Sequence, residues 1–220
     1  MSRPFEVHLP LERAYTRYAM LAVELLDAVS LERVTQGVTI TAKGLMGKPI
    51  INHGGLFVWL KEDAGNFEKL LIDPRMLPYQ SAEVPAAQVQ RPLHVVELSP
   101  LANYPFSPGI TAIRGSLILS VPPPGLAPVA IVGAAIRLEW LDDDGVTWHA
   151  GATTTATNGS GDFTTILRLA PADVPRLDAQ GQITVKLYAK RSTGEEKHKE
   201  FQLKQGRVAD KTFAWDQMQP

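Results

Sequence analysis

The sequence predicts an all-β protein made of two tandem β-sandwich modules with extended terminal segments. Three observations carry that prediction. Short runs in which apolar and polar residues alternate, rich in Val, Ile and Thr, recur along the whole chain, as half-buried strands require. Gly, Pro, Asn and Asp punctuate these runs, and a sustained 3.6-residue period is almost absent. Two stretches also share one design: AGATTTATNGSGDF, residues 150–163, and IINHGGLF, residues 50–57. Each passes from a strand-like run through an Asn and glycines to a Phe that opens the next run, which places Phe57 and Phe163 in two separate cores.

Length and composition set the bounds. A chain of 220 residues accommodates two modules of about 100 residues, each able to bury a core without staples. With 45% apolar and 20% charged residues it belongs with folded proteins, not disordered ones. The net charge of -1 offers no overall basic field, so nucleic acid is not an expected partner. The absence of cysteine removes disulfides, thiolate nucleophiles and Cys-ligated zinc. The start, MSRPFEVHLPLERAY, lacks an apolar signal core, and no window approaches a membrane span. The expectation is a soluble protein without a classical signal peptide.

Residues 1–17 read as an arm: Pro4 and Pro10 resist a helix, while Phe5, Val7, Leu9 and Leu11 alternate like an edge strand or docked extended segment. It can pack on its own module or reach a neighbour. The first module is expected over residues 18–98. Residues 11–30 hold enough Ala, Leu and Glu to read as helix, but a strand from Met20 (MLAVELL) fits the pattern of the rest. GVTITAK at 37–43, Ile50 and Ile51, and LFVWL at 56–60 follow as strands. FEKLLID at 67–73 suits a strand, although its spacing also permits a short helix. LHVVEL at 93–98 closes the module. SPLANYPFSPG, residues 99–109, is a proline-stiffened linker. The second module spans 110–205, with ITAIRGSLILSV, AIRLEWL, a threonine-rich run over 146–157, FTTILRL, QITVKLYAK and a last strand at 200–204 after a charged turn at 191–199. Residues 206–220 form a tail expected to dock through Val208, Phe213 and Trp215.

LLDAVSLERVTQGVTITAKG followed by GKPIINHGGLFVW resembles the pattern of carboxypeptidase-regulatory-like, transthyretin-like and collagen-binding-B-type sandwiches. There, an Asp-led loop ends the first strand and an Asn/Asp-Gly-x-Phe turn opens a later one. IRGSLIL, GAAIRLEW and TTTATNGSGDF in the second module are similar to the same group. The resemblance implies an Ig-like or transthyretin-like fold, used for spacing and assembly, and little chemistry. Some collagen-binding-B-type members crosslink a strand Lys to an Asn or Asp. MLAVELL has no Lys and ITAIRGSLILSV has only Arg114, so that crosslink is not expected.

Candidate chemistry is sparse. His8, His53, His94, His149 and His198 stand singly, without the spacing that orients two imidazoles on a metal. Asp142, Asp143 and Asp144 offer hard oxygen ligands but lack EF-hand alternation, so a solvated hairpin turn is the better reading. Ser160 in NGSGD lacks the second glycine position and the strand-to-helix setting of a nucleophile elbow. GLMGKP at 44–49 lacks the full phosphate-loop spacing. No metal, cofactor or catalytic residue is expected, and the chain is not read as an enzyme.

Trp59, Trp140, Trp148 and Trp215 allow sugar stacking, with Trp59 and Trp140 better explained as packing. Trp148, Trp215, Phe213 and Phe5 are the expected ligand or interface contacts. The function expected is a structural or interaction protein, a subunit of a multi-protein assembly such as a phage tail or contractile injection particle put together in the bacterial cytoplasm. Its partners are other protein chains or further copies of itself. The alternative is a carbohydrate or surface-ligand binding module.

Overall fold

The computed structural model describes residues 18–61 and 65–220. The arm, Phe5 included, lies outside the described residues. Among the described residues the structure is all-β, with fourteen strands in four sheets. In the first half these are β1 (Ala19–Asp27), β2 (Thr39–Lys43), β3 (Ile50–Ile51), β4 (Phe57–Leu60), β5 (Lys69–Asp73), β6 (Ala82–Pro85) and β7 (Leu93–Leu98). In the second half they are β8 (Thr111–Ile118), β9 (Ala135–Leu141), β10 (Trp148–Ala156), β11 (Asp162–Leu167), β12 (Gln182–Lys190), β13 (Glu196–Lys204) and β14 (Val208–Ala214).

The sheets are ordered β3-β4-β1-β7 and β2-β5-β6 on one side of the 99–109 segment, and β11-β8-β14 and β10-β9-β12-β13 on the other. Counted within each half, the first, fourth and seventh strands share a sheet, and so do the second, fifth and sixth. In both halves the first and seventh strands are parallel neighbours, β1 with β7 and β8 with β14. Only the third strand changes sides: β3 pairs with β4, whereas its counterpart β10 pairs with β9. The two halves are therefore one topology used twice.

The paired turns of the sequence prove to be the same device. Asn52 N–H donates to Leu56 O (3.0 Å) and Leu56 N–H donates back to the Asn52 side-chain oxygen (2.9 Å), while Gly55 N–H reaches Asn52 O. Asn158, Gly161 and Asp162 repeat every bond of this set. Gly55 and Gly161 sit at φ of 77° and 79°, a left-handed conformation in which a β-carbon is strained. The Asn side chain caps the reversal, so the next residue enters its strand with a fixed register.

That register buries Phe57 and Phe163, at 3% and 1% exposure. Around Phe57 the first core gathers Leu21, Val23, Leu25, Trp59, Leu70 and Ile72; around Phe163 the second gathers Ile113, Leu117, Leu138, Trp140, Val185 and Leu187. The inward sides of the alternating strands supply both cores, as β1 illustrates with Leu21, Val23 and Leu25.

Three elements differ from the sequence reading. The segment 206–220 is not a tail docked on a finished module, because β14 is the strand that pairs with β8 along its full length. Its alternation is masked by Lys211, whose ammonium lies 4.9 Å from the Phe201 ring centroid and whose position falls on the same side as buried Phe213. The last strand expected at 200–204 begins at Glu196, in a strand fully paired with β12; Lys197 and Lys199 continue the side of Phe201 and Leu203 and donate to Trp215 O and Gln217 O, so charge hides the alternation there. β6 was unexpected; it is short, half-exposed and ends on Pro85.

Candidate functional site at the module junction

The densest convergence of polar groups lies where β1 ends and the 99–109 segment passes. Asp27, the last residue of β1, points inward by the strand's alternation and is 6% exposed. One carboxylate oxygen accepts the Val29 N–H at 2.7 Å. The other accepts two phenols, Tyr79 at 3.1 Å from the loop after β5 and Tyr104 from the segment between the modules. The two rings tilt against each other with centroids 5.8 Å apart, and Phe106 continues the stack at 4.9 Å from Tyr104. Burial first, then the Asp27 charge, pushes the Tyr79 hydroxyl up to about 12; burial and the bond to Asp27 raise Tyr104 as well. Both phenols therefore stay protonated and donate throughout the neutral range.

The second module grips the same segment. Arg114 on β8 donates to Tyr104 O at 2.8 Å and lies over the Phe106 ring, 5.4 Å from its centroid. Arg168, just past β11, donates to Ala28 O next to Asp27 and approaches Glu97 of β7 at 3.8 Å. Gln80 donates across to Ala156 O at 3.1 Å. A cavity of about 440 Å³ opens beside this network, with Asp27, Arg33, Val34, Leu77, Tyr79 and Tyr104 in its wall. Every oxygen of Asp27 is engaged, and its phenolic partners are weaker acids than usual, so the cluster is built to hold segments together. It contains no poised nucleophile or base.

The residues singled out from the sequence do not gather here. Trp215 and Phe213 are buried in the second core, at 4% and 6% exposure, so neither offers a face to a ligand or a neighbour. Their apolar bulk is needed to fill the interior behind β14, where Phe213 meets the Phe201 and Phe163 rings at 5.5 and 6.0 Å. Trp148 is half-buried at the outer side of β10, and the Lys186 ammonium lies over one face of its ring, 3.7 Å from the centroid. Trp59 and Trp140 are core residues.

The Asp142–Asp144 hairpin is explained by its own hydrogen bonds. Asp144 accepts the backbone N–H groups of Val146 and Thr147, both at 2.8 Å, and the Thr147 hydroxyl at 2.5 Å, which hold its carboxyl down at about 2. Asp142 pairs with His149 at 2.7 Å, and that bond is the main reason its carboxyl is also a stronger acid than usual. Among the described residues, no three His, Cys, Asp or Glu side chains converge to hold a metal ion. Ser160 sits in the Asn158-capped turn, its N–H bonded to the Asn158 side chain at 2.9 Å.

Sequence reasoning missed the junction residues because each looks ordinary alone. Asp27 reads as the start of a turn, and Tyr79 and Tyr104 lie in proline-rich loops. The one available signal was a pair of aromatics, Tyr104 and Phe106, inside a segment otherwise suited to a bare spacer.

What the fold and junction define is a β-sandwich protein in which one topology is used twice and hydrogen bonds cross between the two halves. No known family model matches the chain, and no curated protein matches it. Among solved structures, the shaft pilin SpaA from Lactobacillus rhamnosus GG is similar at 8% identity, with 90% of this chain and 98% of that one covered and a TM-score of 0.27. Two mutants of that pilin match at 11% and 12% identity, covering 90% and 88% of this chain and 98% and 97% of theirs, each with a TM-score of 0.27.

Proposed function

We propose that the chain is a non-catalytic structural subunit, one that holds neighbouring protein chains at a set spacing within a multi-protein assembly. The observation that carries this reading is the junction. Tyr104 of the linking segment is held by Asp27 of the first module and Arg114 of the second, while Arg168 and Gln80 bond directly across the modules, an arrangement that supports one stiff body over two beads on a tether. An enzyme built on a module boundary ordinarily leaves polar groups free toward a cleft; here they are spent on each other. The sugar-binding alternative has less support, since three of the four indoles are buried and Lys186 lies over one face of the fourth.

The setting we propose is a phage-tail-like or contractile injection particle, by analogy with the use of small tandem sandwiches as building pieces. Affinity isolation of the tagged chain from its native cells, followed by gradient sedimentation, tests it. The chain is expected to sediment in a large particle with a fixed set of companion chains. A chain found only as a free monomer overturns the reading.

A further inference from the structure

We propose that the open seam between β13 and β14 is a binding site for a small amphipathic carboxylate, an aliphatic or aromatic acid with a short apolar body. The two strands are edge members of the second module's two sheets, and residues 205–207 join them. Between them lies a cavity of about 210 Å³, lined by Phe201, Phe213 and Met218, with Lys199 on one side and Lys211 on the other. Register sets this arrangement. Lys199 lies opposite buried Leu187, and Lys211 lies opposite Gly115, so both stems leave from the core-facing sides of their strands.

Little holds the two ammoniums. Among the described residues, Lys199 reaches the Gln217 carbonyl at 3.5 Å and Lys211 lies against the Phe201 ring, while no carboxylate pairs with either and none belongs to the cavity wall. Each ammonium therefore keeps donors free for an anion. The aromatic and thioether wall between them favours an apolar group over a fully hydrated one. A short carboxylic acid supplies both in one molecule, its two oxygens directed to the two lysines and its body to the rings.

The first module closes the same seam with its own chain. Phe57 faces Val23 and Phe163 faces Gly115, so His94, beside Val23, holds the place that Lys211 holds beside Gly115. There residues 86–92 connect β6 to β7: Ala86–Gln88 form one 3₁₀ turn, Val89 packs on the first core, and the Gln90 N–H donates to His94 Nδ1 at 3.3 Å. The 205–207 connection is too short to repeat that plug, and the chain after β14 contributes only Gln217 and Met218 to the wall. One topology thus fills the seam with protein in one module and leaves room beside two cations in the other.

Titration of the full chain with hexanoate, followed through the Met218 ε-methyl resonance and by calorimetry, tests the site. Saturable binding is expected, with hexan-1-ol, which lacks the charge, and inorganic phosphate, which lacks the apolar body, each weaker by about tenfold or more. Lys211→Met and Lys199→Met keep apolar stems beside the rings, so circular dichroism should be unchanged while each weakens hexanoate by about tenfold, as expected for one charge-assisted bond. Lys199 is exposed, and its variant carries the test should Lys211→Met fail to fold. The site is overturned by the absence of a saturable hexanoate shift, by equal affinity for hexan-1-ol or phosphate, or by hexanoate affinity unchanged in a folded lysine variant. Inward charge on edge strands also keeps them from pairing with other chains. Lysine variants that self-associate in light scattering, together with a parent chain that shows no hexanoate shift, would assign the lysines to that role and overturn the site. The site stands apart from the assembly reading, and its failure leaves that reading untouched.

Discussion

Asp27 shows how one buried side chain sets the energetics of the junction. Removing its carboxylate strands two phenolic hydroxyls and the Val29 N–H inside the protein, and each buried donor without a partner costs about 1–3 kcal/mol. Asp27→Ala is therefore expected to destabilise the chain by about 3 kcal/mol or more in urea titration. Tyr104→Phe removes one hydrogen bond while keeping the ring stack with Tyr79 and Phe106, and should cost only about 1 kcal/mol. Equal losses for the two variants would show that the single Tyr104–Asp27 bond carries the whole contribution of the carboxylate. The phenols also predict a pH response. Tyr79 is raised from 10.0 to about 12 and Tyr104 is raised further, so the folded state holds protons that the unfolded state releases first. Their stabilising contribution is complete below pH 10, where both states are protonated, and is lost as pH climbs through about 12. The thermal midpoint should fall across that window, and Tyr79→Phe with Tyr104→Phe should flatten the fall. A wild-type midpoint that stays level from pH 10 to 12 would refute the assignment.

At the scale of elements, the tight fit between β8 and β11 is the most demanding. Gly115 faces Phe163 across the pair, and a β-carbon on Gly115 would lie 2.2 Å from the Phe163 ring. Gly115→Ala should therefore cost about 1–3 kcal/mol by overpacking, and Phe163→Ala about 3–5 kcal/mol by leaving a cavity. The double variant Gly115→Ala with Phe163→Leu should be less damaging than the sum of the two changes, because the smaller side chain vacates the contested space; additivity in chemical denaturation would contradict the contact. Phe163 was placed in the core from sequence because the Asn-Gly turn fixes strand phase, and the same logic placed Phe57. Central strands such as β1, β9 and β12 were legible for a related reason: each carries an inward apolar run, Leu21, Val23 and Leu25 in β1, Ile136, Leu138 and Trp140 in β9, and Ile183, Val185, Leu187 and Ala189 in β12. β13 and β14 were obscured by charge. Glu196, His198 and Glu200 face solvent from β13, and Lys211 lies along the rim of the core through its stem, so a pattern that counts Lys as polar misses the strand. The junction was hidden more deeply. Its bonds join Asp27 to Tyr79 and Tyr104, groups 52 and 77 positions apart, and no local pattern records a pairing at that distance.

For the whole molecule, the decisive property is the angle between modules. Three contacts set it from outside the linking segment or through it: Arg114 on Tyr104, Arg168 on Ala28 and Glu97, and Gln80 on Ala156. None belongs to either hydrophobic core, so they can be removed without unfolding a module. Arg168 approaches Glu97 at 3.8 Å with both side chains partly exposed, and that ion pair alone contributes little. Its bond to a backbone carbonyl beside Asp27 and the bond from Arg114 to the Tyr104 carbonyl are directional, and they act on the segment that would otherwise serve as a hinge. Arg114→Ala combined with Arg168→Ala should therefore leave circular dichroism and the thermal midpoint of each core nearly unchanged. Small-angle scattering should change instead, from the narrow distance distribution of one rigid body to a broader one with a larger maximum dimension. A distribution identical to wild type would mean that the prolines of residues 99–109 stiffen the joint without help from the arginines. A spacer can hold its neighbours at a set distance only if its own two halves do not bend, so the same double variant should incorporate into particles less regularly than Asp27→Asn, which retains the shape of the carboxylate and one acceptor oxygen.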